Sequence, residues 1–240
     1  MSSHDDIAKR ALKNYSESTP WPDNDAWHQR TFESEKKIVE KWLSIITSDD
    51  MKILNAGSGG TEYETKGKVI HLDIVEMYIQ HLSDYIVGSI ENIDLPNESV
   101  DGLICVGSVI NYTDAQRAIA EFERILKPNG FFIIEFERSN SAEFIGTGKH
   151  GKPIFSKEYT YNEQEHLLWL YSEKHIRLIL RQYNLFVKQT KRIHCLSSLL
   201  YRFGILEEKA APYAKYDAFF QRFSYPIAHN VLLLGTKAPF

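Results

Sequence analysis

The chain has 240 residues, 28 Lys+Arg against 32 Asp+Glu, with 43% hydrophobic and 12% aromatic side chains, the balance of an ordinary soluble protein able to bury one sizeable core. Its net charge of -4 argues against a general grip on nucleic acid, which needs a surplus of Lys and Arg to neutralise phosphates. Cys105 and Cys195 sit in apolar surroundings with no further ligand at metal spacing, so no metal site and no disulfide framework are expected. A polar, acidic N-terminus and the lack of any run near ~18 apolar residues point to a cytoplasmic protein without membrane association.

In chain order, residues 1–50 read as a helical cap: one helix with Ile7, Ala11 and Leu12 on a shared face, an aromatic break at Thr19-Pro20-Trp21-Pro22, and a second helix from about Thr31 to Ile46. The core occupies 51–240. Up to Arg138 apolar strands alternate with helical stretches, the pattern of a parallel sheet wrapped by helices, with strands at Lys52–Ala56, Val69–Asp73, Ile86–Val87, Gly102–Val106 and Phe131–Phe136. A helix over Thr113–Leu126 places Ala118, Ile119, Phe122, Ile125 and Leu126 on one face and stops at Lys127-Pro-Asn-Gly130, where Asn and Gly tolerate a left-handed backbone. A loop and strand insertion over 139–172 holds the glycine-bearing loop 146–151 and strands Ile154–Tyr161 and His166–Tyr171. A helix over Glu173–Gln182 follows, then two late strands, Leu185–Ile193 and Asn230–Gly235. They flank a helical insertion at 196–228 rich in Tyr and Phe, either a substrate cap or a dimer surface.

The chemistry is carried by Ile53-Leu-Asn-Ala-Gly57-Ser-Gly-Gly60-Thr61, an apolar strand running straight into a glycine turn. Such a turn lets a ligand approach the main chain closely. The second strand ends at Asp73, beside the loop, where a carboxylate can accept hydrogen bonds from ribose hydroxyls. A dinucleotide loop needs a third glycine at position 62 and presents a helix N-terminus to pyrophosphate. Here position 62 is Glu, and Glu64 follows in the same turn, which suits a cationic sulfonium ligand better than NAD.

Four segments in order, Leu54-Asn-Ala-Gly-Ser-Gly-Gly60, His71-Leu-Asp-Ile74, Asn92-Ile-Asp-Leu-Pro-Asn-Glu-Ser-Val-Asp-Gly-Leu-Ile-Cys105 and Arg124-Ile-Leu-Lys-Pro-Asn-Gly-Phe-Phe-Ile-Ile134, resemble a class I S-adenosylmethionine-dependent methyltransferase of the small-molecule type. The resemblance implies a Rossmann-like α/β fold with a seven-stranded, mostly parallel sheet whose final strand is antiparallel. It implies S-adenosylmethionine as cofactor and S-adenosylhomocysteine as product. Gly57, Ser58 and Gly59 would face the methionine and ribose parts and Asp73 the ribose hydroxyls. Ile74 would pack on the adenine, Ser89 and Ile90 would sit near its amino group, and Val106 and Gly107 would close the pocket. Asn55, Thr61 and Ser89 depart from the family pattern, the first and last standing where an acid is common.

Acceptor-side residues are expected after the fourth and fifth strands, which nominates Asn111, Tyr112, Glu137 and Arg138, the last two more readily read as a solvated strand end. His150 in the glycine-bearing loop is the general-base candidate, and Tyr112 is the other catalytic one. Tyr15 and Trp27 are expected to line the substrate pocket. Gly146–Lys152 imitates a phosphate loop, but Pro153 stands where magnesium needs Ser or Thr. Seven Lys/Arg and no acid between Lys174 and Arg202 form a solvated face or a patch for an anionic substrate. Transfer of methyl to O or N of a small molecule is the leading reading. An enzyme acting on RNA or protein, or a non-catalytic binding protein, is the alternative.

Overall fold

The computed structural model describes residues 4–17, 25–161, 164–220 and 227–239. The expected break at Thr19–Pro22 lies outside these residues, as does Phe223 of the aromatic insertion. Helix α1 (His4–Glu17) is followed by α2 (Ala26–Ile46), which starts five residues before the expected point. Asp25 caps it, accepting the His28 N–H at 3.0 Å, and so holds the first turn in place. Strands β1 (Lys52–Ala56), β2 (Lys68–Asp73), β3 (Tyr85–Val87) and β4 (Val100–Cys105) then alternate with much less helix than the sequence suggests. Between β1 and β2 there is none, and between β2 and β3 only the single turn α3 (Glu76–Ile79). Residues 61–66 alternate exposed and half-buried, so they lack the apolar stripe a covering helix would need.

Helix α4 (Ala115–Ile125) runs directly into β5 (Leu126–Glu137). Asp114 caps α4 through the Gln116 and Arg117 N–H groups; the helix ends at Ile125 on an extended Leu126, before the expected stop, and the left-handed Asn129 lies within β5. A separate antiparallel hairpin, β6 (Ile154–Tyr161) and β7 (Gln164–Tyr171), precedes α5 (Glu173–Gln182) and β8 (Leu185–Ile193). The short helices α6 (Cys195–Arg202), α7 (Glu207–Ala210) and α8 (Asp217–Phe220) come before β9 (Asn230–Lys237).

The main sheet has the order β3-β2-β1-β4-β5-β9-β8, and β9 pairs antiparallel with both β5 and β8. Alternation along each strand sorts the apolar residues onto two faces. Leu54, Leu103, Phe132, Ile134 and Leu233 face α4 and α5, together with Ile7 of α1. Ile53, Ile104, Ile133 and Leu232 face Val39, Trp42 and Leu43 of α2. Both faces are thus covered, as a parallel sheet requires. α2 is therefore a layer of the core, and Leu12 of α1 is exposed although Ile7 and Ala11 are buried.

Two charge assignments change. Arg138 is 2% exposed and pairs with the buried Glu173 at 3.4 Å, and Glu137 is also largely covered, so this strand end is not solvated. Glu173 also holds Arg177 and Arg192, which removes two of the seven cations from the expected basic patch. Among the described residues no helix is long and apolar enough to cross a membrane.

Candidate functional site

The carboxyl ends of β1 to β5 converge where the sheet order reverses between β1 and β4, the crevice in which open α/β sheets bind ligands. A cavity of about 170 Å³ lies there, lined by Gly57, Ser58, Gly59, Asp73, Ile74, Ser89, Ile90, Val106 and Gly107, with Tyr15, Tyr112 and Glu35 completing its wall. The chain thus brings together nine of the ten residues expected to touch a cofactor, and the tenth, Asn55, is the exception. Asn55 is buried, and its Nδ2 donates to the Thr61 carbonyl at 2.8 Å and toward Ser58 Oγ at 3.4 Å. It ties the loop and does not line the cavity.

The loop is satisfied from within. The N–H groups of Gly57 and Ser58 both donate to the Leu72 carbonyl, at 2.8 and 2.9 Å, and the Gly59 N–H donates to Asp73 Oδ2 at 2.7 Å. Gly57 has φ +69°, and a Cβ there would stand 2.5 Å from a Val109 methyl carbon, so both backbone and space require glycine. Ser58 Oγ lies 2.7 Å from His71 Nδ1. Burial raises the Asp73 carboxyl above the usual range, against the opposing effect of its backbone donors at Val75 and Gly59. No Lys, Arg or His lines this cavity among the described residues. Three inward-turned amides and two acids, Asp73 and Glu35, make a poor seat for pyrophosphate and a tolerant one for a cation. Glu62 and Glu64 play no part in it, since both are exposed and neither lines the cavity.

A second, polar cavity of about 230 Å³ is lined by Trp27, His28, Glu137, Glu143, Lys157, Tyr159, Tyr201 and His229, among others. His229 Nδ1 lies 3.0 Å from Glu143 and its Nε2 3.5 Å from Glu137, and Lys157 Nζ lies 3.0 Å from the other Glu143 oxygen. Burial alone would lower the imidazole, but the two carboxylates outweigh it and raise His229 to about 10. The Glu143 carboxyl is buried, which works against ionisation, yet His229 and Lys157 hold it down at about 2. A tyrosine partition joins the two cavities: Tyr112 Oη is 2.8 Å from Tyr159 Oη and 3.3 Å from Tyr15 Oη. Burial raises Tyr112 well above the ordinary phenol range and Tyr15 to about 12, so both remain protonated donors at neutral pH.

The remaining expected site residues fall elsewhere. Trp27 lines the polar cavity, stacked on His194 at 4.0 Å between ring centroids. Asn111 is fully buried, donates to the Glu137 and Trp169 carbonyls and accepts the Glu137 N–H at 2.8 Å; it staples β5 to β7 and cannot reach a substrate. His150 is exposed and held to the Asn140 carbonyl, outside both cavities. The structure supplies another imidazole, His28, whose Nδ1 lies 2.6 Å from Asp25 Oδ2 in the polar cavity wall. Sequence reasoning missed the dyad, whose role shows only once the fold brings α2 to the polar cavity, and it missed the partners of Glu137 (Glu143, Lys157 and His229), which lie on separate segments of the chain.

A protein-family model described as a methyltransferase domain matches residues 56–134. A comparison with curated protein sequences finds no match. Among solved structures, the Burkholderia thailandensis 1,6-didemethyltoxoflavin-N1-methyltransferase, solved with 1,6-didemethyltoxoflavin and S-adenosylhomocysteine, is similar at TM-score 0.60 and 16% identity over 99% of this chain and 92% of its own. The [4+2]-cyclase SpnF is similar at 0.57 and 11% identity over 97% and 94%. A Methanosarcina mazei SAM-dependent methyltransferase is similar at 0.55 and 13% identity over 82% and 97%. The family match runs from the last residue of β1 to the middle of β5, the span that builds the crevice, and over that span the chain is similar to a methyltransferase domain.

Proposed function

We propose that the chain transfers a methyl group to nitrogen or oxygen of a small molecule, with S-adenosylmethionine in the cavity at the glycine loop and the acceptor in the polar cavity beyond the tyrosine partition. The observation that carries this reading is the pairing of the two cavities across Tyr15, Tyr112 and Tyr159. Asp73 would hold the ribose hydroxyls through lone pairs that its Gly59 and Val75 contacts leave available. Ile74 and Ile90 would enclose the adenine, with Ser89 at its edge. The main chain at Gly57, Val106 and Gly107 would face the remainder. When bound, S-adenosylmethionine supplies an electrophilic methyl group, and the chain's own contribution is chiefly to align the acceptor with it.

Trp27, Tyr159 and Tyr201 offer aromatic walls to the acceptor, while Glu137, Lys157 and Ser141 offer both donors and acceptors. That combination suits a small, flat, polar molecule, and the structurally similar Burkholderia methyltransferase was solved with 1,6-didemethyltoxoflavin bound. Tyr112 is a hydrogen-bond donor that positions the acceptor. For an acceptor that must lose a proton, His28 held by Asp25 takes the general-base role first assigned to His150.

The reading is tested by calorimetric titration with S-adenosylmethionine, S-adenosylhomocysteine and NAD. Binding of the two adenosyl ligands without NAD is expected, and Asp73→Ala should weaken it roughly tenfold or more, a charged hydrogen bond being worth ~1.5–3 kcal/mol. Labelled methyl donor incubated with a cell extract should pass its label to the low-molecular-weight fraction. Label found only in RNA or protein would overturn the small-molecule acceptor.

A further inference from the structure

Three carboxyl groups meet where the ends of β4 and β5 face α2: Glu35 and Glu135 are buried, and Glu137 is largely covered. Two have partners within the chain. Glu135 accepts the Gly107 and Ser108 N–H groups and the Asn230 amide, and Glu137 faces His229. Glu35 is 4% exposed, and its Oε1 has no hydrogen-bond partner among the described residues. It lies on the α2 stripe that also carries Phe32, Val39 and Trp42, at spacings of three, four and seven residues that normally bury apolar side chains against a sheet. Burial and the repulsion of Glu135 and Glu137 push its carboxyl well above the usual range. Leaving such a group unpaired costs stability, and natural proteins keep that kind of cost where function needs it.

Glu35 shares the cavity wall with Asp73, and the two acids have different neighbours. Asp73 is tied to the loop at Gly59 and to Val75. Glu35 is near Tyr63 and Glu135, on the β4–β5 side. The cavity therefore offers one acid beside the glycine loop, for hydroxyl groups, and a second, unpartnered acid beside β4 and β5, with no basic side chain in its lining among the described residues. An elongated ligand with a sugar at one end and a cation at the other matches this distribution of charge.

We propose that Glu35 binds the α-ammonium group of the cofactor's amino-acid moiety, so that helix α2 supplies the anionic contact on the β4–β5 side of the cavity. This rests on the reading of the cavity as the S-adenosylmethionine site. Asn55, at the end of β1, cannot make the contact because its amide is turned into the loop. Binding a cation gives Glu35 the partner it lacks in the free protein and screens it from Glu135 and Glu137.

The test is calorimetric titration of the wild-type chain and of Glu35→Gln with two ligands, S-adenosylhomocysteine, which carries the ammonium group, and 5′-methylthioadenosine, which lacks the amino-acid moiety. The expected result is a loss of about tenfold or more for S-adenosylhomocysteine on substitution, as for a charged hydrogen bond, with methylthioadenosine unchanged within twofold. Thermal unfolding of the ligand-free proteins provides the second measurement. Glu35→Gln should melt no lower than wild type, since it removes a buried, repelled acid. Equal losses for the two ligands, or no loss for either, would overturn the assignment while leaving the cofactor site in place. Failure of the wild-type chain to bind either ligand would overturn the assignment together with the reading on which it rests.

Discussion

Asn111 shows how a side chain that looks like a substrate contact becomes a structural one once its neighbours are known. Its amide satisfies three backbone groups, the N–H and C=O of Glu137 and the C=O of Trp169, all in the buried region between β5 and β7. Asn111→Ala leaves all three without that partner, and each unsatisfied buried group costs ~1–3 kcal/mol. We predict a loss of roughly 3 kcal/mol or more in denaturant unfolding, larger than for most single substitutions. Asn111→Asp should be no better, because a carboxylate has no hydrogen to offer two carbonyls. A variant with native stability and impaired activity would instead return Asn111 to the substrate. Other single residues were readable in advance for a physical reason: Gly57 and Asp73 belong to a contiguous strand and turn whose backbone demands show in residue type. Glu35 was readable in principle, as an acid interrupting the apolar stripe of α2, but its meaning needs Glu135 and Glu137, about 100 positions away.

Among the elements, strands and the α4 helix were legible because alternation and 3.6-residue periodicity are local. The crossover from β1 to β2 was not, because the missing covering helix is replaced by α2, which arrives from an earlier part of the chain. The β6–β7 hairpin was legible as two strands, but its separation from the main sheet was not. A two-stranded ribbon is marginal alone, and this one is held by both faces of β7: Leu167, Trp169 and Tyr171 join the main core, while Leu168 and Leu170 pack with Phe144, Phe155 and Tyr159. Leu170→Ala removes a fully buried side chain from that smaller cluster, at a cost of ~2–5 kcal/mol. Because the hairpin forms its own two-stranded sheet and meets the end of β5 only at the Arg138–Tyr171 bridge and the Asn111 staple, we predict that the loss is read locally. Amide exchange should accelerate across 154–171 while β1 and β4 keep their protection. Uniform acceleration would show that the hairpin and sheet unfold as one unit. Lys157 and Tyr159 ride on β6, so the same variant should also loosen the acceptor side of the site.

At the scale of the whole molecule, the His229 cluster ties β5, β6, β9 and the loop carrying Glu143 into one electrostatic unit, and it sets how stability responds to alkali. Facing the imidazole are Glu137 from β5, Glu143 and Ser141 from the segment after it, and Trp27 from α2, with Lys157 of β6 behind Glu143. His229 is raised to about 10 in the folded protein, against ~6.5 for an unperturbed histidine. Between those values the folded chain holds a proton that the unfolded chain has released. The stabilisation is therefore complete below pH ~6.5 and falls as pH rises toward 10, by up to ~1.4 kcal/mol per pH unit for one proton. Glu143, lowered to about 2, has the opposite sign: its contribution is present above the unfolded value near 4.5 and is lost as pH falls toward 2. Stability should therefore peak in mildly acidic to neutral solution and decline on the alkaline side before lysines titrate. We predict that urea unfolding measured from pH 7.5 to 9.5 shows this decline in the wild-type chain. In His229→Gln the slope should be shallower by about one proton, on a protein already less stable because Glu137 and Glu143 have lost their shared cation. Parallel slopes in the two proteins would mean that His229 is neutral in the folded state and that the cluster is held by hydrogen bonds alone.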